Sequence, residues 1–144
     1  MRARDERQPA IRVTLLPRDT NPHGTIFGGV ILSYIDQAGA IGAHIHGADR
    51  VVTVAMEKVV FHAPVRVGDL VSFYSELVRI GHTSITVKVV VEAAPPGKGA
   101  VPRRVTEARI TYVNVDTSGR PVPVAPARRR GTVTGGRKSG TLPE

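Results

Sequence analysis

Along most of the chain, apolar residues recur at every second position, the spacing of a strand that buries one face. Ile11, Val13 and Leu15 alternate with Arg12 and Thr14, and Pro17 stops this short first run. Val52, Val54 and Met56 alternate with Thr53, Ala55 and Glu57, and the segment continues through Val59-Val60-Phe61 towards Pro64. Gly68-Asp69 turns the chain into a third run over 70–79, and Gly81 turns it again. Ile85, Val87, Val89 and Val91 then alternate with Thr86, Lys88 and Val90. After the Pro95-Pro96-Gly97-Lys98-Gly99 connection, a last long strand covers 105–115 and is ended by Asp116-Thr117-Ser118-Gly119.

One stretch departs from the period of two. From about Ile26 to His46 there is no proline and the apolar side chains fall on nearly all sides, the pattern of a buried helix. At about 1.5 Å per residue, some sixteen residues span roughly 24 Å, the length of a seven-residue strand. Gly39 and Gly42 in its second half each cost about 1 kcal/mol relative to Ala, so their presence predicts that another element approaches closely there. A strand, a long helix and then four strands joined by turns predict an α+β fold. Its form is an antiparallel sheet packed on one central helix.

Composition narrows the picture. At 144 residues and 41% hydrophobic, the chain has the size and the apolar content of one domain. The absence of cysteine excludes disulfides, thiol catalysis and thiolate metal sites. No run approaches the eighteen or so apolar residues of a membrane span, and the N-terminus lacks the apolar centre of a signal peptide. A cytoplasmic protein without a membrane partner is expected. The formal charge of +8 is concentrated at the ends, leaving 10 basic and 9 acidic residues between positions 13 and 119. The expected organisation is therefore a basic extension over 1–10, a domain over 11–124 and a basic, disordered tail over 125–144. Charge placed in this way reads as solvated ends, so nucleic acid is not the expected partner.

The chemically odd position is Asp36, the only acidic or basic residue, histidines aside, between Asp19 and Asp49. A carboxylate inside an apolar helix must be hydrogen-bonded, solvated by a cleft or raised in pKa. Its helical neighbours Leu32, Ser33, Gly39 and Ala40 leave room for a substrate or a water. A purely structural acid bonded to Ser33 or to nearby backbone fits equally well. Upstream, Asn21 lies in a Pro- and Gly-punctuated loop, and Gly24, Gly28 and Gly29 lead into the helix. Unpaired N–H groups at a helix start suit a developing oxyanion; an Asx-turn and plain turn geometry are the alternatives. His44 and His46 are two apart, about 200° around a helix, and cannot share one ion. No metal site is assigned.

The stretch 18–29, Arg-Asp-Thr-Asn-Pro-His-Gly-Thr-Ile-Phe-Gly-Gly, followed by Ser33-Tyr34-Ile35-Asp36, closely resembles the signature of hotdog-fold acyl-CoA thioesterases of the YciA type and the related cytosolic acyl-CoA hydrolases. The segments 51–57, Val67-Gly68-Asp69 and 113–120 are similar to later parts of that family, so the resemblance covers about residues 11–124. It implies about five strands wrapped around the helix and two subunits joined edge to edge, with trimers of such dimers common. It further implies that Asp36 of one subunit works with Asn21 of the other on an acyl-CoA thioester, as base or as nucleophile. Backbone amides around Gly28 and Gly29 would polarise the carbonyl. His23, Gly24 and Thr53 would lie on the substrate side, with Thr53 supporting the acid from the strand after the helix. The turn Gly81-His82-Thr83-Ser84 resembles a segment that meets the nucleotide end of coenzyme A, although His82 stands where family members often carry Arg. Arg103, Arg104 and Arg120 are other candidate phosphate partners. A thioester carries a good leaving group, so no cofactor is expected. The competing readings are a non-catalytic acyl-CoA-binding regulator, a hotdog hydratase, or an RNA-associated protein using the basic tail.

Overall fold

The computed structural model describes residues 7–125. The expectations for the first six residues, and for the tail beyond 125, lie outside the described residues. Five strands, β1 (Ile11–Thr14), β2 (Val51–Phe61), β3 (Leu70–Ile80), β4 (Ser84–Ala94) and β5 (Arg103–Asn114), form one antiparallel sheet in the order β1-β3-β4-β5-β2. The helix α1 (Gly28–Ile45) packs on one face. Alternation on the two central strands selects that face. Ile85, Val87, Val89 and Val91 of β4 and Val105, Ala108, Ile110 and Tyr112 of β5 share one core with Ile31, Ile35 and Ala38 of α1. This is the antiparallel sheet on one central helix that the hydrophobic pattern predicts, with the five strands that the resemblance to hotdog-fold proteins implies.

The helix begins two residues later than its composition suggests. Ile26 is held extended because its N–H bonds to the Val65 carbonyl at 2.9 Å, and Phe27, at φ −57° and ψ 135°, is the last non-helical residue. At the other end Gly47 turns through φ +115°, and the Ala48 N–H reaches the Ala43 carbonyl at 3.0 Å. The close approach predicted at the helical glycines is present at both. A Cβ on Gly39 would run into the hydroxyl of Tyr112, and one on Gly42 would run into Ser75 Oγ. Ser75 Oγ is itself buried, with no hydrogen-bond partner among the described residues.

Strand β2 departs from its regular pattern. The alternation of Val52, Val54 and Met56 predicts a buried face, yet Val52 and Val54 are about half exposed, as are Val60 and Phe61. The cause is position: β2 is a sheet edge, and register shifts at Thr53/Ala55 and Glu57/Val60 break its periodicity. At the second shift Lys58 adopts a left-handed φ of 55°.

Two ends of the domain are tied down by specific bonds. The Ala10 N–H bonds to the Phe73 carbonyl at 2.8 Å, and the Arg7 guanidinium lies 4.1 Å from the centre of the Tyr74 ring. Residues 7–10 therefore run along β3 ahead of Ile11. Buried Asn114 joins three segments: its Oδ1 accepts the N–H groups of Asp49 and Arg50, and its Nδ2 donates to the Pro123 carbonyl at 3.1 Å. No helix of the described residues is long and apolar enough to cross a membrane.

Candidate active site

Asp36 sits midway along α1, half-buried, on the side that faces the edge strand. Thr53 of β2 donates its hydroxyl to Asp36 Oδ1 at 2.8 Å. Directly opposite Thr53 in the β2–β5 ladder stands Tyr112. Its hydroxyl donates to the backbone carbonyl of Asp36 at 2.6 Å and lies 3.3 Å from Oδ1. Ser33, the alternative partner for the acid, instead donates to the Val30 carbonyl. One carboxylate oxygen is thereby fixed between two strand hydroxyls, while Oδ2 has no hydrogen bond among the described residues. Burial, and secondarily the charge of Asp36 and the hydrogen bond to it, push the Tyr112 phenol far above its ordinary 10.0. The hydroxyl therefore stays a donor across the physiological range.

Tyr112 is the site residue that sequence reasoning missed. A tyrosine in an alternating strand reads as core, which it also is, at 0% exposure. The available signal was Gly39, whose missing side chain makes the space that the hydroxyl occupies.

The loop before the helix is organised by Asn21. Its Oδ1 accepts the N–H groups of His23 at 2.9 Å and Thr25 at 3.1 Å, and its Nδ2 donates to Thr25 Oγ1 at 2.9 Å. Gly24 closes the turn with φ +87°, a conformation that glycine adopts at little cost, and it is exposed along with His23. Asn21 thus makes the Asx-type turn and, within one chain, no hydrogen bond with Asp36.

At the helix start, the carbonyl of Phe27 receives the N–H groups of Val30 and Ile31. The N–H groups of Gly28 and Gly29 have no partner among the described residues, as expected for the first turn of a helix. The ring of Phe61, at the end of β2, lies over this turn, 3.1 Å from where a Cβ on Gly28 would stand. Beside it opens a cavity of about 380 Å³, lined mainly by Ile26, Ile31, Phe61, Ala63, Pro64 and Val65.

The remaining candidates lie apart from this centre. The β3–β4 turn uses its backbone internally: Gly81 N–H bonds to the Ser84 carbonyl, Thr83 accepts from Asn114 and His82 accepts from Val124. The His82 side chain is exposed. Arg103 donates to the carbonyls of Pro64 and Ala93 and pairs with Asp69 at 3.4 Å, so it clamps loops together. Arg104 pairs with Glu107 at 3.5 Å, and Arg120 is exposed on the final turn. Glu107 also meets His62 Nε2 at 2.9 Å. That hydrogen bond lowers the Glu107 pKa, opposed by desolvation and aided by the charges of Lys88 and Arg104. His44 Nδ1 lies 3.0 Å from the Ala48 carbonyl.

Comparison with known proteins gives a consistent result. The thioesterase superfamily matches residues 23–100. An acyl-CoA thioester hydrolase of Zymomonas mobilis, itself uncharacterized, is 48% identical over 82 residues, 57% of this chain and 55% of that protein. The acyl-CoA thioester hydrolase YciA of Salmonella typhimurium is 40% identical over 116 residues, 79% of this chain and 87% of its own length. A hexameric hotdog-fold thioesterase of Campylobacter jejuni superposes with a TM-score of 0.78 at 46% identity, covering 85% of this chain and 93% of its own.

Proposed function

Because this chain belongs to the thioesterase superfamily, we propose that it hydrolyses acyl-CoA thioesters to the free acid and CoA, with Asp36 as its catalytic carboxylate. The observation that carries the reading is the asymmetric hold on that carboxylate. Thr53 and Tyr112 fix Oδ1, and Oδ2 is left without a hydrogen bond among the described residues. Oδ2 takes a proton from water as the water oxygen adds to the thioester carbon. Charge developing on the carbonyl oxygen is met by the free N–H groups of Gly28 and Gly29. Collapse breaks the C–S bond, and the departing thiolate recovers the proton from Asp36. A thiolate leaves without metal or cofactor assistance, so none is assigned.

Two chains are required for this chemistry. Gly28 and Asp36 are eight residues apart on one helix, about 12 Å along its axis, too far for both to reach one carbonyl. The amides of one subunit, with the Asn21 loop beside them, therefore serve the Asp36 of the partner. Strand β2 is the natural seam: an eleven-residue edge strand with Val52 and Val54 exposed is a template for pairing with its own copy. The minimum assembly is a homodimer, and the hexameric Campylobacter relative supports a trimer of dimers. We place Thr53, His23, Gly24 and the 81–84 turn along the path of the CoA arm.

The deciding assay follows thiol release from acyl-CoA. Asp36→Asn is expected to lose essentially all turnover while its melting temperature stays close to that of the unaltered protein; full activity in this variant sinks the mechanism. A single turnover in ¹⁸O-labelled water is expected to place the label in the released acid. Label retained in Asp36 would show that the carboxylate attacks the thioester itself.

A further inference from the structure

A cavity of about 270 Å³ opens on the outer face of the sheet, away from α1. Alternation fixes which face this is. Ile85 and Val87 of β4, and Ala108, Ile110 and Tyr112 of β5, lie in the core under the helix. Thr86, Arg109 and Thr111, which stand between them, therefore point the other way and line the cavity. Asp36 and its partners Thr53 and Tyr112 are on the far side of the sheet.

Two strand irregularities bring charge to this outer face. Neighbouring side chains of a regular strand point to opposite faces, yet Glu57 and Lys58 both line the cavity, as do Val78 and Arg79. A register shift in each strand is the cause. On β2 the shift between Glu57 and Val60 inserts an extra residue, and Lys58 turns outward with its φ of 55°. On β3 the shift between Leu77 and Arg79 makes Val78 the extra residue and sets Arg79 opposite Thr86. Continued in the preceding register, Lys58 would face Ala108 and Arg79 would face Ile85, both on the helix side.

The fold makes no use of these charges. Lys58, Arg79 and Arg109 form no side-chain hydrogen bond or ion pair among the described residues, whereas Lys88, Arg103 and Arg104 each meet a carboxylate. Arg109 is half-buried and stands in the ladder between Lys88 and Glu57. The first is a like charge, and the second makes no ion pair with it. Three cations thus surround one space with Glu57 as the only carboxylate in the lining, an arrangement that is repulsive until an anion enters.

The donor set selects the anion. Thr86 and Thr111 bond hydroxyl to hydroxyl at 3.1 Å between the cations, and Ser84 adds a third hydroxyl. Each guanidinium can give two parallel N–H bonds to a pair of oxygens, and the lysine supplies a point charge. A carboxylate has one such pair and satisfies one arginine; the tetrahedral oxygens of a phosphate can meet both. The space lies below the roughly 300–1,000 Å³ of pockets that enclose a whole small molecule. It suits a phosphoryl or diphosphoryl group whose carrier stays in solvent.

We infer that this outer cavity binds the phosphoryl group of a phosphorylated metabolite distinct from the CoA ester under hydrolysis. The site goes beyond the thioesterase reading and stands independently of it. Pairing of β2 with its own copy would extend the sheet in its plane and leave this face open. CoA is the one competing source of phosphate, because Ser84 also belongs to the turn placed along its path.

The test is calorimetric titration of the full-length protein with inorganic pyrophosphate, in the absence and presence of saturating CoA. Saturable binding is expected, persisting with CoA bound and weakening as salt is raised. Arg79→Gln and Arg109→Gln should each weaken it by about tenfold or more, through loss of a charge-assisted pair of bonds. Arg79 is exposed at the rim, so its variant keeps the question answerable if loss of Arg109 disturbs the sheet. Both variants should keep the kcat and KM of the unaltered protein for acyl-CoA. Pyrophosphate binding that CoA abolishes, with KM raised in both variants, would give the cavity to the substrate's own nucleotide and overturn the inference. Absence of binding at millimolar pyrophosphate, or binding that both variants retain in full, would overturn it equally. A protein that binds pyrophosphate here but hydrolyses no acyl-CoA would reject the reading of Asp36 and leave this site standing.

Discussion

A carboxylate is a catalytic group only if its geometry is controlled, and at Asp36 that control comes from two neutral hydroxyls rather than from a cation. Thr53 binds Oδ1 directly, and Tyr112 grips the backbone of the same residue while lying within reach of Oδ1. Neither hydroxyl neutralises the charge, so the acid is oriented without being tied into an ion pair that would quench it as a base. Removing one hydroxyl should release the carboxylate into neighbouring rotamers. Tyr112→Phe is therefore expected to lower kcat by about tenfold or more, since small misplacements of a reacting group are costly, with KM nearly unchanged. A KM that rises in proportion, at constant kcat, would show that Tyr112 serves binding instead. The same variant carries a pH signature. The folded protein resists ionising Tyr112, so whatever this contributes to stability is complete below the ordinary phenol value of 10.0 and is lost as pH climbs above it. Thermal melts above that pH should fall more steeply for the unaltered protein than for Tyr112→Phe.

At the level of elements, the helix glycines explain why the acid can be held in this way. Gly39 lies three residues beyond Asp36, and its bare backbone lets the Tyr112 hydroxyl come close enough to bond the Asp36 carbonyl. Gly39→Ala would improve helix propensity by about 1 kcal/mol but force Cβ into the tyrosine, and overpacking of this kind costs about 1–3 kcal/mol. A net loss of stability with reduced turnover is expected. A melting temperature above that of the unaltered protein would show that the helix–strand gap can relax. Two glycines in an apolar helix required a close neighbour, and the period-two strands and their turns located the sheet around it. The neighbour's identity was not legible, because Tyr112 lies 76 residues from Asp36 and its place opposite Thr53 follows from the β2–β5 register. Local patterns do not specify that register. The irregularity of β2 was hidden for a related reason: its alternation is intact in sequence, and the shifts around Val54 and Lys58 fall on a strand paired on one side only.

For the whole molecule, the proposed chemistry would be incomplete in one chain. The loop side chain of Asn21 is occupied by its own turn and the free amides stand about two helical turns from Asp36, so in the proposed mechanism each chain would supply two half-sites. A two-fold dimer across β2 would unite the Asp36 half of one subunit with the Asn21–Gly28 half of the other, twice over. Mixing two variants separates this arrangement from a self-contained site, provided each is inactive alone; Asn21→Ala is expected to be so because it unmakes the turn that leads into the Gly28–Gly29 amides. In a dimer of one Asp36→Asn chain and one Asn21→Ala chain, one site carries both lesions and the other carries none. If subunits exchange at random, half the dimers are mixed and half their sites are intact, so mixing should restore about a quarter of the original turnover. With both groups drawn from the same chain, every site in every dimer would retain one lesion, and mixing would restore nothing. The refolded mixture, assayed against each variant alone, therefore decides whether the paired sheet edge is a structural seam or the place where the active site is assembled.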